Sequence, residues 1–158
     1  CIGLSLGSAP IFSYQYGAGN EEELKSLFAK CVRVVGATTM AMAVVGQLLN
    51  TTLSGLFVGY DSDLMTLTVA GFRIFAVSFL FGGWNIFGPT LFTALGDGKT
   101  ALILSFLRTM VFKCGAILLL PLVFGLNGVW WSNVLAEGAA AAVTVWFFRR
   151  NKEKYHYA

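Results

Sequence analysis

Long uncharged stretches alternate with short polar joints along this chain. Residues 1–20, 34–60, 74–96 and 114–136 contain no Asp, Glu, Lys or Arg. A helix needs roughly 20 residues to cross about 30 Å of hydrocarbon, and three of the four tracts reach that length after their polar ends are trimmed. The pattern predicts membrane-spanning helices at 2–16, 32–56, 64–95, 100–122 and 129–148. Gly17-Ala18-Gly19-Asn20 ends the first helix and caps the next, which opens on three glutamates near a positive dipole end. Residues Lys25 to Phe28 read as an amphipathic lead-in to the second span. Gly59-Tyr60-Asp61-Ser62-Asp63 caps the third helix, and Gly96-Asp97-Gly98-Lys99 closes it. Gly125-Leu126-Asn127-Gly128 turns the fourth into the fifth. Pro10 predicts a kink in the first helix, Pro121 marks the end of the fourth, and Gly82-Gly83 with Pro89 predict a break in the third.

Composition strengthens this picture. Of 158 residues, 56% are apolar and 12% charged, about half the charge of an ordinary soluble domain. The mean hydropathy is +0.71. These values exclude a water-soluble globule, and with it dinucleotide, phosphate-loop and nucleic-acid functions. The three cysteines, Cys1, Cys31 and Cys114, form no CxxC pair and suggest neither a disulfide framework nor a metal site. The chain starts at Cys1 with no basic segment before its opening tract. An ordinary signal peptide is therefore not expected, and a piece of a longer membrane protein is.

Charge then sets an orientation. The joints around Lys25 to Arg33 and at Lys99, and the tail from Arg149, carry most of the positive charge, while the joints at 57–63 and 124–128 carry none. Short joints make neighbouring helices antiparallel. The positive-inside rule places the three basic regions in the cytoplasm. The expected organisation is a partial transmembrane lobe over 1–150, with 151–158 as a cytoplasmic basic tail that looks disordered.

Ionisable groups inside the spans are costly in lipid and mark candidate functional positions. Arg73 reads as a guanidinium snorkelling toward the outer interface or as part of a substrate pathway. Arg108 reads as a structural partner or lipid contact on the cytoplasmic side, or as part of a substrate or ion pathway. Lys113 lies past the bilayer centre and calls for a water-filled cavity or a carboxylate partner. Glu137 is the one acidic residue inside a span. It reads either as a proton or sodium carrier or as a structural tie to Lys113. Counted from Gly128, the ideal heights of Glu137 and Lys113 differ by roughly 9 Å, so separate exposure to a central cavity is expected rather than a direct pair. Tyr14 and Tyr16 read as an interfacial aromatic belt or as pathway residues. An intramembrane enzyme would need clustered catalytic groups, and the sole histidine is His156 in the tail.

Two units also look alike. Pro10 precedes Gly17-Ala18-Gly19-Asn20, and Pro89 precedes Gly96-Asp97-Gly98-Lys99, each across six residues. A repeated proline-bent helix delivered to a Gly-x-Gly turn is a device of transporters with internal repeats.

The run Pro10-Ile-Phe-Ser-Tyr-Gln-Tyr-Gly-Ala-Gly-Asn20 resembles the end of the eighth helix in the multidrug and toxin extrusion (MATE) family. Phe92-Thr-Ala-Leu-Gly-Asp-Gly-Lys99, Arg108, Pro121 and Gly125-Leu-Asn-Gly-Val-Trp130 resemble the tenth to twelfth helices in the same order and spacing. The resemblance covers essentially the whole chain. It implies an all-α polytopic bundle of about five spans, forming part of the C-terminal lobe of a twelve-helix transporter. It also implies efflux of cationic or amphipathic small molecules against H+ or Na+ as the coupling ion, with no other cofactor. The implied partners are the lipid bilayer and the missing N-terminal lobe, in a multi-pass protein of the plasma membrane with a cytoplasmic C-terminus. Some members carry a cation-binding aspartate within the tenth helix. Here Asp61 and Asp63 precede that span and 64–95 contains no carboxylate, so sodium-style coupling is not implied. A flippase for lipid-linked precursors, of the same wider fold group, and a non-transporting structural subunit stand as alternatives.

Overall fold

The computed structural model describes residues 1–59 and 61–157, without the side chains of Leu126 and Asn127. Tyr60, and the side chains of Leu126 and Asn127 in the expected 125–128 turn, lie outside the described residues. The elements are all helical: α1 (Ile2–Gly17), α2 (Glu21–Val58), α3 (Ser62–Val77), α4 (Phe79–Ala94), α5 (Gly98–Phe106), a π-helical segment (Leu107–Lys113) and α6 (Cys114–Tyr155). Inside α6, Gly125 has φ 56° and ψ −137°, which divides it into two helices. Two stretches are long and apolar enough to cross a membrane, Glu21–Val58 and Gly98–Gly125, and the bent pair α3 and α4 makes a third.

Contact order gives the directions. Gly36 lies against Trp84, Gly46 against Ala76 and Phe79, and Gly55 against Met65, so α2 runs antiparallel to α3 and α4. Cys1 meets Gly83 and Ser13 meets Ala94, so α1 runs parallel to α4. Gly71 meets Trp130 and Gly88 meets Thr144, so the second part of α6 runs parallel to both. Leu120 touches Gly128, so that part also folds back along the helix before it. One end of the bundle therefore gathers the α1–α2 joint, the α4–α5 joint and the chain's last residues, which include most of its cations.

The joints at Asn20 and at 59–63 cap helices as the sequence suggests, and the joint at 96–99, read only as a helix end, caps the next helix as well. Asn20 accepts from the Glu23 amide, Asp61 from the Asp63 and Leu64 amides, and Asp97 from the Thr100 amide. Each satisfies donors that a helix N-terminus leaves free. Gly19 (φ 68°) and Gly96 (φ 80°) adopt the left-handed conformation that ends a helix at low cost. The residues after them close the same six-residue ring, Asn20 N–H to Gln15 O and Asp97 N–H to Phe92 O.

Three expectations need correction. First, the two proline units share a turn but not a register. The matching glycines are Gly19 and Gly96, not Gly17 and Gly96, so Pro10 and Pro89 occupy different places relative to their turns. Gly17 and Gly98 are ordinary helical residues. Second, the third span bends by 40° at Ser78, before Gly82-Gly83. The bend is held from outside: Asn133 Nδ2 donates to Ser78 Oγ at 2.9 Å, and Gln47 Nε2 donates to the Arg73 carbonyl at 2.8 Å. Gly83 instead lets α2 approach, since a Cβ there would meet Val35 at 3.2 Å and collide with Thr39. Close packing at small residues takes the place of the hydrophobic driving force that helices lack in lipid. Third, the tail is ordered. α6 continues to Tyr155, His156 turns left-handed (φ 53°), and Tyr157 is fully buried.

Candidate functional site

Glu137 sits in the second part of α6 and is, among the described residues, the one buried side chain that carries a carboxylate, at 5% exposure. Its Oε1 accepts from Arg108 Nε at 3.3 Å and Nη2 at 3.0 Å. Lys113 Nζ lies 3.7 Å from the same oxygen. Its Oε2 accepts from Asn85 Nδ2 at 2.7 Å, and that amide also reaches the Glu137 carbonyl at 2.9 Å. Thr144 Oγ1 donates to Asn85 Oδ1 at 3.5 Å. One carboxylate thus joins α4, the π-helical segment and α6.

The π-helical segment explains how two cations reach one oxygen. Residues five apart in an α-helix point about 140° away from each other. In a π-helix the i→i+5 hydrogen bond places them one above the other. Arg108 and Lys113 are five apart and both lie in Leu107–Lys113. Separate exposure of Glu137 and Lys113 to a cavity is corrected to a direct contact, because the chain turns at Gly125 rather than at Gly128, which puts both residues the same number of positions from the turn and so at about the same height. With its carboxylate ionised, the cluster holds two positive charges against one negative. The cations keep partial access to solvent or headgroups, with side-chain exposures of 27% for Arg108 and 42% for Lys113, against 6% for Glu137. That gradient suits long basic side chains whose stems are buried and whose heads reach outward.

The remaining candidates lie elsewhere. Arg73 is exposed near the Ser78 bend and makes no salt bridge among the described residues. Tyr14 is 73% exposed. Tyr16 packs edge-on against Tyr155, ring centroids 5.9 Å apart, at the basic end of the bundle. Pro10, Pro89 and Pro121 lie within helices, and none of them takes part in the Glu137 hydrogen bonds, although Pro89 follows Gly88, which packs on Thr144. Asn85 was not singled out in the sequence. Its signal is that it is the one side-chain amide in the apolar run from Phe79 to Phe92, where an unpaired amide is expensive.

A second polar cluster closes the basic end. Asp97 Oδ2 accepts from Thr100 Oγ1 at 2.7 Å and from the Tyr155 phenol at 2.6 Å, with Lys154 Nζ 3.7 Å away. Burial pushes the Asp97 carboxyl up, but the Thr100, Tyr155 and Lys154 partners outweigh it and hold the group down to about 2. A depressed carboxylate adds stability above its ordinary value of 3.8 and loses that contribution as pH falls toward about 2. The melting temperature of the chain should therefore exceed that of Asp97→Ala above about pH 4, and the gap should narrow as pH drops toward 2. A gap that stays constant across this range would mean that the charge of Asp97 is not involved.

The MatE family model matches residues 1–118 of the chain. The multidrug export protein MepA of Staphylococcus aureus strain MSSA476 is 24% identical over 153 residues, covering 96% of this chain and 33% of the relative. MepA of strain N315 is 24% identical over 159 residues with the same coverage. An outward-facing multidrug resistance MATE transporter of the MOP superfamily superposes with a TM-score of 0.86 at 20% identity, over 98% of this chain and 35% of that one. An inward-facing structure of such a transporter gives 0.85 at 21% identity, over 96% and 35%. The chain spans about a third of the length of the relatives it matches. The family match over three quarters of its residues, together with a helical bundle of that same fold, identifies the chain as a member of the MatE family.

Proposed function

We propose that the chain forms helices eight to twelve of a multidrug efflux antiporter and works as one rigid part of its C-terminal lobe. The observation that carries this reading is its near-equal likeness to outward-facing and inward-facing MATE structures, with TM-scores of 0.86 and 0.85. A segment that fits both states equally well is one that alternating access moves without reshaping. The Glu137 network supports the same role. Both carboxylate oxygens are occupied by protein donors, so Glu137 acts here as a tie between helices, and proton or sodium coupling falls to groups in the other lobe. The basic end faces the cytoplasm of a plasma membrane, and amphipathic cations cross between this lobe and its partner. Alternating access requires a second lobe to rock against. Proteoliposomes holding these 158 residues alone should therefore release ethidium at the rate of empty liposomes. Efflux above that background, driven by a pH or sodium gradient, would show that the chain is sufficient by itself and would overturn the reading.

A further inference from the structure

Between α4 and the second part of α6 runs an open groove of about 480 Å³, lined by Phe81, Trp84, Gly138, Ala141, Val145 and Arg149. Its shape follows from the sequence. Gly138 and Ala141 leave the α6 side shallow, and the rings of Phe81 and Trp84 form the opposite wall, with Phe81 3.8 Å from where a Gly138 Cβ would stand. Arg149 lies at the end of the groove nearest the chain's basic terminus. Its guanidinium makes no salt bridge among the described residues, whereas its neighbour Arg150 rests on the Trp146 ring, 5.0 Å from the centroid. Among the described residues the groove is thus an apolar channel with one unpaired cation at its mouth, at the end of the bundle that also carries Lys25, Lys99 and Lys152.

We propose that this groove seats an anionic phospholipid, one acyl chain lying along Phe81, Trp84 and Gly138 and the headgroup phosphate paired with Arg149. Charge complementarity selects that occupant. An arginine fork binds phosphate oxygens in a bidentate manner, and a basic segment at a membrane surface draws acidic lipid toward it. A zwitterionic phospholipid offers Arg149 a phosphate as well, but its headgroup cation is repelled by the same basic end, so net charge sets the preference.

The test uses the full chain in phosphatidylcholine vesicles containing increasing fractions of brominated phosphatidylglycerol or, in parallel, brominated phosphatidylcholine. Bromine quenches a tryptophan that it touches, and the signal of Trp84 is obtained as the difference between the chain and its Trp84→Phe variant. The proposal expects half-maximal quenching of Trp84 at a severalfold lower fraction of phosphatidylglycerol than of phosphatidylcholine. That preference should fall severalfold in Arg149→Gln, which removes the cation at the mouth of the groove, and persist in Arg150→Gln, whose guanidinium is already engaged on Trp146. Both arginines are exposed, so both variants should fold, which a helical circular dichroism spectrum checks. Equal quenching by the two lipids, a preference undiminished in Arg149→Gln, or a Trp84 that neither lipid reaches would each overturn the proposal. The last result would mean that protein rather than lipid covers the groove.

Discussion

Glu137→Gln should lower the folding stability of the chain in detergent micelles by about 3 kcal/mol, the low end of the cost of removing one partner of a buried ion pair. The low end applies because Arg108 and Lys113 remain partly exposed and recover some solvation. Glutamine keeps the shape and can still meet Asn85, but it leaves two cations facing a neutral amide. A double-mutant cycle with Arg108→Gln separates the causes. If the pair is the source, the double variant should lose less than the sum of the two single losses. In a transporter carrying this chain, proton flux counted per folded molecule should stay unchanged in Glu137→Gln while the amount of folded protein falls. A drop in flux per folded molecule with stability intact would assign Glu137 to coupling instead.

Tyr157→Ala should be as damaging, at about 3 kcal/mol, although the residue is next to last in the chain. Tyr157 is fully buried, its ring centroid 4.8 Å from that of Phe28, and its hydroxyl donates to the Phe148 carbonyl at 2.8 Å. It completes an aromatic cluster with Phe87, Phe92, Phe148 and Tyr155, which draws α2, α4 and α6 together at the basic end. Tyr157→Phe keeps the ring and loses one hydrogen bond, so about 1 kcal/mol is expected. Thermal unfolding of the three proteins side by side reads both losses. Equal stability of Tyr157→Ala and the unmodified chain would mean that the tail contributes nothing to the fold.

The helices and their caps were legible because they follow from local chemistry. An uncharged tract of membrane length has few alternatives to a helix, and Asn20 and the aspartate-bearing joint at 59–63 supply strong N-caps before such tracts. What the sequence hid depends on contacts between distant residues. The bend at Ser78 has no proline or glycine of its own and is supported by Asn133 and Gln47 from other helices. The π-helical segment reads Leu-Arg-Thr-Met-Val-Phe-Lys, with no local breaker, and its visible consequence is the convergence of Arg108 and Lys113 on Glu137. Heights counted from Gly128 separate Glu137 from Lys113 and make their tie the less favoured reading, whereas the chain turns at Gly125 and brings the two level. The tail misled for a related reason. Arg149, Arg150, Lys152 and Lys154 give it the composition of a solvated segment, yet Tyr155 and Tyr157 pack inward from it.

Rigidity of the segment is the claim on which the functional reading depends, and a distance within the chain tests it directly. Leu48 on α2 and Leu122 on α6 are 75% and 83% exposed and accept spin labels without disturbing the core, once Cys1, Cys31 and Cys114 are replaced. Pulsed electron paramagnetic resonance on the labelled transporter, trapped in turn in its inward-facing and outward-facing states, gives the distribution of that separation. The account predicts a single distribution that is the same in both states, while a label pair linking this segment to the other lobe shifts. A Leu48–Leu122 distance that changes with the state would contradict it, because the segment would then be reshaped by the transport cycle rather than carried through it.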